Sequence, residues 1–171
     1  LFRSPVALAK PHGVQRVDVR GALAMKDALW DVLGTNLDRA DALIMSAAVA
    51  DYRPADSSPT KRKRSAEPLE LKLVPNPDLL AEVGAARSGA KPVLVGFAVE
   101  TGDDAAILQY ARGKLSKKRV DMVVANRADE AFGRDDNRAT IVTGDAAEPF
   151  EVLTKRALAD RILDRVAVRC R

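Results

Sequence analysis

The sequence predicts an α/β protein whose mostly parallel sheet is flanked by helices. Three short apolar runs, at residues 42–45, 93–97 and 122–125, are typical of buried parallel strands. Helical patterns separate these runs, and strands that alternate with helices build parallel sheets. With 171 residues, 47% of them hydrophobic, the chain is long enough to bury a core of its own. We therefore expect residues 1–171 to form a single domain.

The first elements follow from apolar periodicity. Residues 14–19 alternate apolar and polar side chains, which predicts a half-exposed strand. Apolar residues then recur at helical spacing from Ala22 to Leu33, and Gly34 ends that helix. The strand at 42–45 comes next and leads directly into small residues that end at Asp51.

The segment at residues 53–68 is predicted to be a mobile loop. It contains three prolines, three serines and four consecutive cations, Lys61 to Arg64, which we call the basic tetrad. Residues 69–73 then alternate leucine with charged side chains, as a strand with one solvent-facing side does. Asn76 to Asp78 place a cap residue, a proline and an acid in series, which indicates a helix start. Asn76 is then either a helix cap alone or also a ligand contact.

The second half is predicted to end in a hairpin and a helix. A further helix is expected from Asp103 to about Lys117, between the strands at 93–97 and 122–125. Residues 139–142 and 150–153 predict a closing hairpin. Thr154 then caps a last amphipathic helix, whose inward residues are expected to be Leu158, Ile162, Leu163 and Val166.

Small or polar residues follow three of the predicted strands at their carboxyl ends. These tails are residues 46–51, residues 96–101 and Asn126. Ligands of open α/β sheets bind at the carboxyl ends of the strands. The pattern therefore predicts the functional site at this edge of the sheet.

The charge balance indicates a local anion site rather than a nucleic-acid surface. The net charge of +4 equals the charge of the basic tetrad alone. Aromatic residues make up 4% of the chain and none adjoins the tetrad, so a platform for stacked bases is not expected. No apolar run reaches the ~18 residues of a membrane span. The single cysteine, Cys170, excludes a disulfide framework and favours a reducing compartment, so we expect a cytoplasmic protein.

Motif searches exclude several kinds of chemistry. No G-x-G-x-x-G or G-x-S-x-G occurs, and the single histidine, His12, excludes a metal site of several histidines. Gly84 and Gly89 have the spacing of a phosphate-binding loop, but Ala90 and Lys91 follow where that loop needs Lys and Ser/Thr. A glycine that ends a helix explains this segment better.

Four kinds of candidate each allow two interpretations. Lys61 with its neighbours, and Lys114 with Lys118 on one helix face, could clamp a triphosphate. The same lysines could instead be solvated and balance a helix dipole. Asp51 could bridge a metal ion or form a turn, and Phe97 could stack on a base or lie in the core.

Five segments, taken together and in order, resemble one family. They are SAAVADYRP at 46–54, the basic loop from Lys61, LKLVPNPDLL at 71–80, VGFAVET at 95–101 and KLSKKRVDMVVAN at 114–126. From about Val14 onward the chain is similar to phosphopantothenate–cysteine ligases, the second half of bacterial bifunctional coenzyme A biosynthesis proteins. The resemblance implies a Rossmann-like fold.

The resemblance also implies an enzyme that uses CTP and a divalent metal such as Mg²⁺. In that family the carboxylate of 4′-phosphopantothenate attacks the α-phosphorus of CTP and releases pyrophosphate. The amine of cysteine then attacks the acyl-cytidylate, which gives phosphopantothenoylcysteine and CMP. FMN is implied only where a decarboxylase domain precedes the chain.

Carried over residue by residue, the resemblance assigns a nucleotide site. Lys61 corresponds to the leading lysine of the family's lysine-rich loop and is the candidate catalytic residue. Asp51 corresponds to a nucleotide contact and is also the candidate metal ligand. The other nucleotide-binding candidates are Ala47, Ala48, Asn76, Pro77, Asp78, Leu79, Phe97, Lys114 and Lys118.

The sequence departs from the family pattern in two places, and the resemblance also implies a dimer. The family's loop alternates lysine with apolar residues, whereas here four cations are consecutive. The family's glycine-rich phosphopantothenate-binding segments are not found in residues 1–11, so we expect an N-terminally incomplete domain that is inactive alone. Family members are dimers, and the alternating leucines at 69–73 and the strand at 139–142 are the candidate β interface. A higher oligomer is expected where a decarboxylase domain is attached.

Two alternatives belong to other functional classes. One is a nucleotide- or RNA-binding module whose basic tetrad acts electrostatically, and the other is a fragment that only dimerises. Polynucleotide binding with a steep salt dependence would favour the binding module, whereas saturable CTP binding without it would favour the ligase. The sequence leaves CTP and ATP open as the nucleotide.

Overall fold

The computed structural model describes residues 2–3 (backbone only), 10–56, 60, 63–64, 68–128 and 135–171. The described strands are β1 (Phe2–Arg3), β2 (Val17–Asp18), β3 (Ala42–Met45), β4 (Tyr52–Pro54), β5 (Leu73–Pro75), β6 (Val93–Glu100), β7 (Met122–Arg127), β8 (Asp136–Thr143) and β9 (Glu151–Thr154). The described helices are α1 (Ala22–Leu33), α2 (Leu79–Ala86), α3 (Asp104–Lys118) and α4 (Lys155–Arg169). In this part of the chain, no helix is long and apolar enough to cross a bilayer.

The chain divides into two compact units. Unit 1 comprises Leu1–Leu29 with Ala47–Asp78, and unit 2 comprises Trp30–Ser46 with Leu79–Arg171. The expectation of a single domain over residues 1–171 stays a prediction.

Unit 2 is built on a five-stranded sheet with the strand order β3-β6-β7-β8-β9. β3 pairs with β6 and β6 with β7 in parallel, whereas β8 is antiparallel to both β7 and β9. Four of the five strands therefore run in the same direction, and α2, α3 and α4 pack against them. The predicted α/β class and its closing hairpin are confirmed. The strands β6 and β7 are buried as predicted, whereas β3 lies at the edge of the sheet and only its Leu43 is buried.

The core of unit 2 joins the sheet to α4. Apolar side chains of β6, β7 and β8 are buried with Leu158, Ile162 and Val166 of the helix. These three helical residues are spaced by four and share one face. Leu163 was predicted to face inward, which is wrong: it is 53% exposed, because it lies a step of about 100° around the helix from Ile162.

The predicted helix ends agree with the structure in three places. Gly34 follows α1 with a φ of 74°, a left-handed conformation that favours glycine. The side chain of Asp103 accepts a hydrogen bond from the backbone N–H of Ala106 and caps α3. Thr154 caps α4 in the same way, through the N–H of Ala157.

Gly84 has a different role from the predicted helix end. It lies inside α2 and is buried, whereas Gly89 lies beyond that helix. A Cβ atom at position 84 would overlap the backbone carbonyl oxygen of Lys118 in α3. Glycine is therefore required here because two helices approach closely.

Unit 1 contains two small sheets, and these correct the sequence prediction. β1 pairs with β2 in parallel, and β4 pairs with β5 antiparallel. The strand expected at 69–73 is instead Leu73–Pro75, and its partner Tyr52–Pro54 includes two residues that were assigned to the loop. Strands of two or three residues are too short to show a periodicity in the sequence.

The candidate dimer surfaces have contrasting environments. Ala139 to Val142 lie in β8 between two paired strands and are buried, so they cannot form an interface between subunits. In unit 1, Leu69, Leu71 and Leu73 are 63%, 64% and 54% exposed. The leucines remain available for a partner, although Leu73 already has a sheet partner within the chain.

Candidate functional site

In unit 2, the carboxyl ends of three parallel strands lie at one edge of the sheet. Met45, the last residue of β3, is opposite Gly96, and Asn126 near the end of β7 is opposite Val99. β6 therefore continues for four residues beyond the end of β3, from Phe97 to Glu100. The ends of the three strands converge as predicted, and Asn126 is buried there. Residues 47–51, which follow β3 and Ser46 in the chain, belong to unit 1, so the convergence of that tail stays a prediction.

Lys114 is fixed at this edge of the sheet. It lies in α3 and is partly buried, and its Nζ donates a hydrogen bond of 2.5 Å to the carbonyl oxygen of Phe97. The ring of Tyr110 lies 6.0 Å from the same ammonium group. A cation that is already oriented by the protein loses little freedom when it binds an anion.

Two further site candidates of unit 2 are Phe97 and Lys118. The Phe97 side chain packs against the core, which favours its structural interpretation, while its backbone carbonyl holds Lys114. Lys118 is the last residue of α3 and is half-buried. Its backbone carbonyl lies against Gly84, so α2 fixes the end of the helix that carries both lysines.

In unit 1, a hydrogen-bonded network joins residues 50–53 to Asn76. The Nδ2 of Asn76 donates to the carbonyl oxygen of Ala50 at 2.8 Å, and its backbone N–H donates to the carbonyl oxygen of Asp51 at 2.7 Å. The guanidinium of Arg53 donates to Oδ1 of Asn76 at 3.2 Å and to the carbonyl oxygen of Pro75 at 2.6 Å. The segments SAAVADYRP and VPNPD are thus held together by polar bonds.

The network shows that Asn76 is not a helix cap. α2 begins at Leu79, two residues later than the start at Pro77 that the sequence pattern indicated, and the Asn76 side chain is engaged with Ala50 and Arg53 instead. The same Asn-Pro-Asp pattern is compatible with a turn. The side chain of Leu79 is buried, so any ligand contact at that position comes from its backbone.

The remaining candidates of unit 1 are mostly exposed. Ala47, Ala48, Asp51 and Asp78 are exposed, and Pro77 is half-buried. Lys61, the candidate catalytic residue, lies outside the described residues together with Arg62. The other two members of the basic tetrad, Lys63 and Arg64, are exposed.

An ion pair of unit 2 was not predicted. Both guanidinium nitrogens Nη1 and Nη2 of Arg138 in β8 donate to the carboxylate of Asp104, each at 2.7 Å. These hydrogen bonds hold the pKa of Asp104 below its usual range, with a smaller contribution from the charge of Arg127, while desolvation opposes the shift. The two residues are 34 positions apart, so no local pattern could have indicated their contact.

Comparison with known proteins shows that nearly the whole chain is similar to one family. Residues 1–169 match the family model of the DNA/pantothenate metabolism flavoprotein C-terminal domain. Coenzyme A biosynthesis bifunctional protein CoaBC of Vibrio parahaemolyticus is 38% identical over 97% of the chain, and that of Escherichia coli is 34% identical over 99%. The chain spans about two fifths of these relatives, 41% of each.

Solved structures show the same architecture. The crystal structure of the C-terminal domain of CoaBC matches with a TM-score of 0.73 and 30% identity, over 96% of this chain and 70% of that one. The DNA/pantothenate metabolism flavoprotein from Streptococcus pneumoniae matches with a TM-score of 0.77 and 21% identity, over 98% and 80%. A Cab2 mutant in complex with phosphopantothenate-cysteine matches with a TM-score of 0.61 and 17% identity, over 91% and 52%. The last two likenesses are evidence of fold alone.

Proposed function

The chain belongs to the family of the DNA/pantothenate metabolism flavoprotein C-terminal domain, and from this membership we propose that it is a phosphopantothenate–cysteine ligase domain of coenzyme A biosynthesis. The observation that carries the proposal is the match of nearly the whole chain to one portion of the CoaBC proteins. These relatives are named as bifunctional proteins of coenzyme A biosynthesis. We also propose a cytoplasmic location, because a chain with a single cysteine has no disulfide framework and suits a reducing compartment.

The proposed reaction has two steps and uses CTP. A carboxylate oxygen of 4′-phosphopantothenate forms a bond to the α-phosphorus of CTP, and pyrophosphate leaves. The amino group of cysteine then attacks the acyl carbon, CMP leaves with the bridging oxygen, and the amine gives up a proton as the amide forms. Both steps concentrate negative charge, which fixed cations stabilise.

Three lysines are proposed to supply those cations. Lys61 acts on the acyl-nucleotide, as the family resemblance implies, from within the basic tetrad. Lys114 and Lys118 bind the phosphates of the nucleotide. The bond from Lys114 to the carbonyl of Phe97 supports this role, because it orients the ammonium group before any ligand arrives.

The segments of unit 1 are proposed to contact the nucleoside. Ala47 and Ala48 are small and exposed, so a ligand can approach their backbone without obstruction. Asn76, Pro77 and Asp78, together with the backbone of Leu79, contact the cytosine side. The polar network that joins Asn76 to residues 50–53 supports the proposal, because it keeps both segments in a defined geometry.

The donor set fits Mg²⁺ that is held mainly by the nucleotide. The described residues contain no group of three or more His, Cys, Asp or Glu side chains able to hold a metal ion. Mg²⁺ usually keeps several waters and binds through one or two carboxylates and substrate phosphates. The exposed carboxylate of Asp51 would hold the ion, which when bound would neutralise phosphate charge.

A pyrophosphate assay tests the function. The full-length protein is incubated with CTP, Mg²⁺ and 4′-phosphopantothenate, and pyrophosphate release is followed before and after cysteine is added. We expect a burst that depends on 4′-phosphopantothenate, and continuous turnover to phosphopantothenoylcysteine once cysteine is present. Pyrophosphate release that does not depend on 4′-phosphopantothenate would contradict the proposal. ATP and UTP in place of CTP serve as matched controls.

We also propose a homodimer that uses the exposed leucines of unit 1. Leu71 is 64% exposed and adjoins a short strand, as expected of an apolar surface that a second subunit covers. Leu71→Lys should shift the mass measured by light scattering from dimer to monomer. Leu163→Lys in α4, where the leucine is 53% exposed, is the matched control and should leave the dimer intact. A wild-type protein that is monomeric at micromolar concentration would exclude the interface.

A further inference from the structure

The carboxamide of Asn76 is held between two groups of opposite hydrogen-bonding character. On one side, the guanidinium of Arg53 donates to Oδ1 at 3.2 Å. On the other side, Nδ2 donates to the carbonyl oxygen of Ala50 at 2.8 Å. A guanidinium can only donate and a carbonyl oxygen can only accept. Rotating the amide by half a turn would therefore place donor against donor and acceptor against acceptor.

Arg53 is itself fixed in position, which makes it an effective constraint. It is half-buried in β4, and the same Nη1 donates to the carbonyl oxygen of Pro75 at 2.6 Å. Pro75 directly precedes Asn76 and pairs with Tyr52 in the antiparallel ladder. The guanidinium thus bonds both to the residue that it orients and to the strand that carries this residue.

The constrained amide presents a defined pattern to a ligand. A carboxamide has two N–H donors and two acceptor lone pairs. The bonds that the described residues make to Asn76 use one donor and one acceptor of its side chain. One lone pair and one N–H remain, and their order is fixed by Arg53 and Ala50.

We propose that Arg53 is a positioning residue that sets the nucleobase preference of the site, cytosine over uracil, by holding the Asn76 carboxamide in one orientation. The inference rests on the proposed function, in which Asn76 contacts the base. Cytosine offers an amino donor beside a ring-nitrogen acceptor, and the fixed amide can pair with both. Uracil bound in the same position offers a carbonyl acceptor in place of the amino donor and a ring N–H donor in place of the acceptor, so in that position it requires the rotated amide that Arg53 disfavours.

The test is the ratio of UTP to CTP dissociation constants, measured by calorimetry on the full-length protein. The wild-type protein should prefer CTP by about tenfold or more, since an unmatched buried polar group is costly. Arg53→Gln should reduce this ratio about fivefold or more, because glutamine can donate to or accept from the neighbouring amide with equal ease. Arg53→Lys should keep the preference, since an ammonium group only donates.

The outcomes separate a specific role from a structural one. A merely structural arginine would weaken CTP and UTP by the same factor and leave the ratio unchanged, which would overturn the inference alone. A wild-type protein that binds neither nucleotide would overturn the proposed function and the inference with it. Arg53→Met is a second variant that removes the guanidinium, so the ratio can be measured on whichever of the Gln and Met variants folds. Thermal melting confirms that each variant is folded.

Discussion

Different kinds of interaction stabilise the interior of unit 1 and the interior of unit 2. Unit 2 buries the apolar side chains of a five-stranded sheet, and several of its valines and leucines are fully buried. In the described part of unit 1, the buried apolar residues are Val19, Met25 and Leu29. The segments of unit 1 that carry the family resemblance are joined instead by hydrogen bonds of Arg53 and Asn76. Stability and the candidate nucleoside contacts therefore depend on different kinds of residue.

The largest expected effect comes from a matched pair of leucines. Leu94 in unit 2 is fully buried, whereas Leu71 in unit 1 is 64% exposed. Leu94→Ala should lower the free energy of unfolding by about 2–5 kcal/mol, because it leaves a cavity in a packed core. Leu71→Ala should change it by less than about 0.5 kcal/mol. Chemical denaturation measures both, and equal losses would contradict the proposed division between the units.

The next largest effect is a loss of turnover with no change in the stability of the protein. Lys61→Gln in the full-length protein should lower turnover by about 10²-fold, the range for loss of a charge-stabilising donor. Lys63→Gln, in the same tetrad and exposed, is the matched control and should change turnover less than about threefold. Neither variant should alter the melting temperature. If Lys63→Gln has the larger effect on turnover, the catalytic role belongs to that lysine.

Two glycines in helices of unit 2 should respond with opposite signs. A Cβ at Gly84 would overlap the carbonyl oxygen of Lys118, whereas a Cβ at Gly113 would meet no heavy atom within 4 Å. Gly84→Ala should therefore destabilise by about 1–3 kcal/mol through overpacking. Gly113→Ala should stabilise by about 0.5–1 kcal/mol, because alanine loses less backbone entropy in a helix. Thermal melting distinguishes them, and stabilisation by both would show that α2 and α3 do not approach closely.

The smallest effect is expected from the ion pair between Asp104 and Arg138. Hydrogen bonds from Arg138 lower the pKa of Asp104 in the folded state, so the pair stabilises above the unfolded pKa of about 4. That stabilisation is lost as the pH falls through the lowered folded pKa. Asp104→Asn should cost up to about 1 kcal/mol at neutral pH, and the difference from wild type should vanish in strong acid.

Urea unfolding across this pH range is the measurement for that pair. Asp160→Asn, which breaks an exposed pair with Arg156 within α4, is the matched control and should cost about 0.5 kcal/mol or less. A difference between Asp104→Asn and wild type that persists unchanged in strong acid would exclude the ion pair as its cause.

The sequence was informative where burial determines the structure. The strands at 93–97 and 122–125 were found because buried strands of a parallel sheet carry continuous apolar runs. The run at 42–45 was found by the same pattern, although β3 lies at the edge of the sheet and its Ile44 is exposed. The pairing of β4 with β5 was missed, since strands of three residues each are too short to carry a periodic signal. Asn76 was assigned a capping role because its local pattern is the same in a helix start and in a turn.

The candidate site was only partly accessible from the sequence. The strand ends were expected to converge, because parallel strands end at a common edge. The bond from Lys114 to Phe97 and the network of Arg53 depend on residues 17 to 26 positions apart, so no local pattern encodes them. Lys61 was identified by resemblance alone, and its environment lies outside the described residues.

The most direct test of the proposed ligase follows one oxygen atom. 4′-Phosphopantothenate labelled with heavy oxygen in its carboxylate is converted by the full-length protein with CTP, Mg²⁺ and cysteine, and the products are examined by mass spectrometry. Attack of the carboxylate on the α-phosphorus predicts that CMP carries one labelled oxygen and that pyrophosphate carries none. Label in inorganic phosphate, or CMP without label, would contradict activation through an acyl-cytidylate.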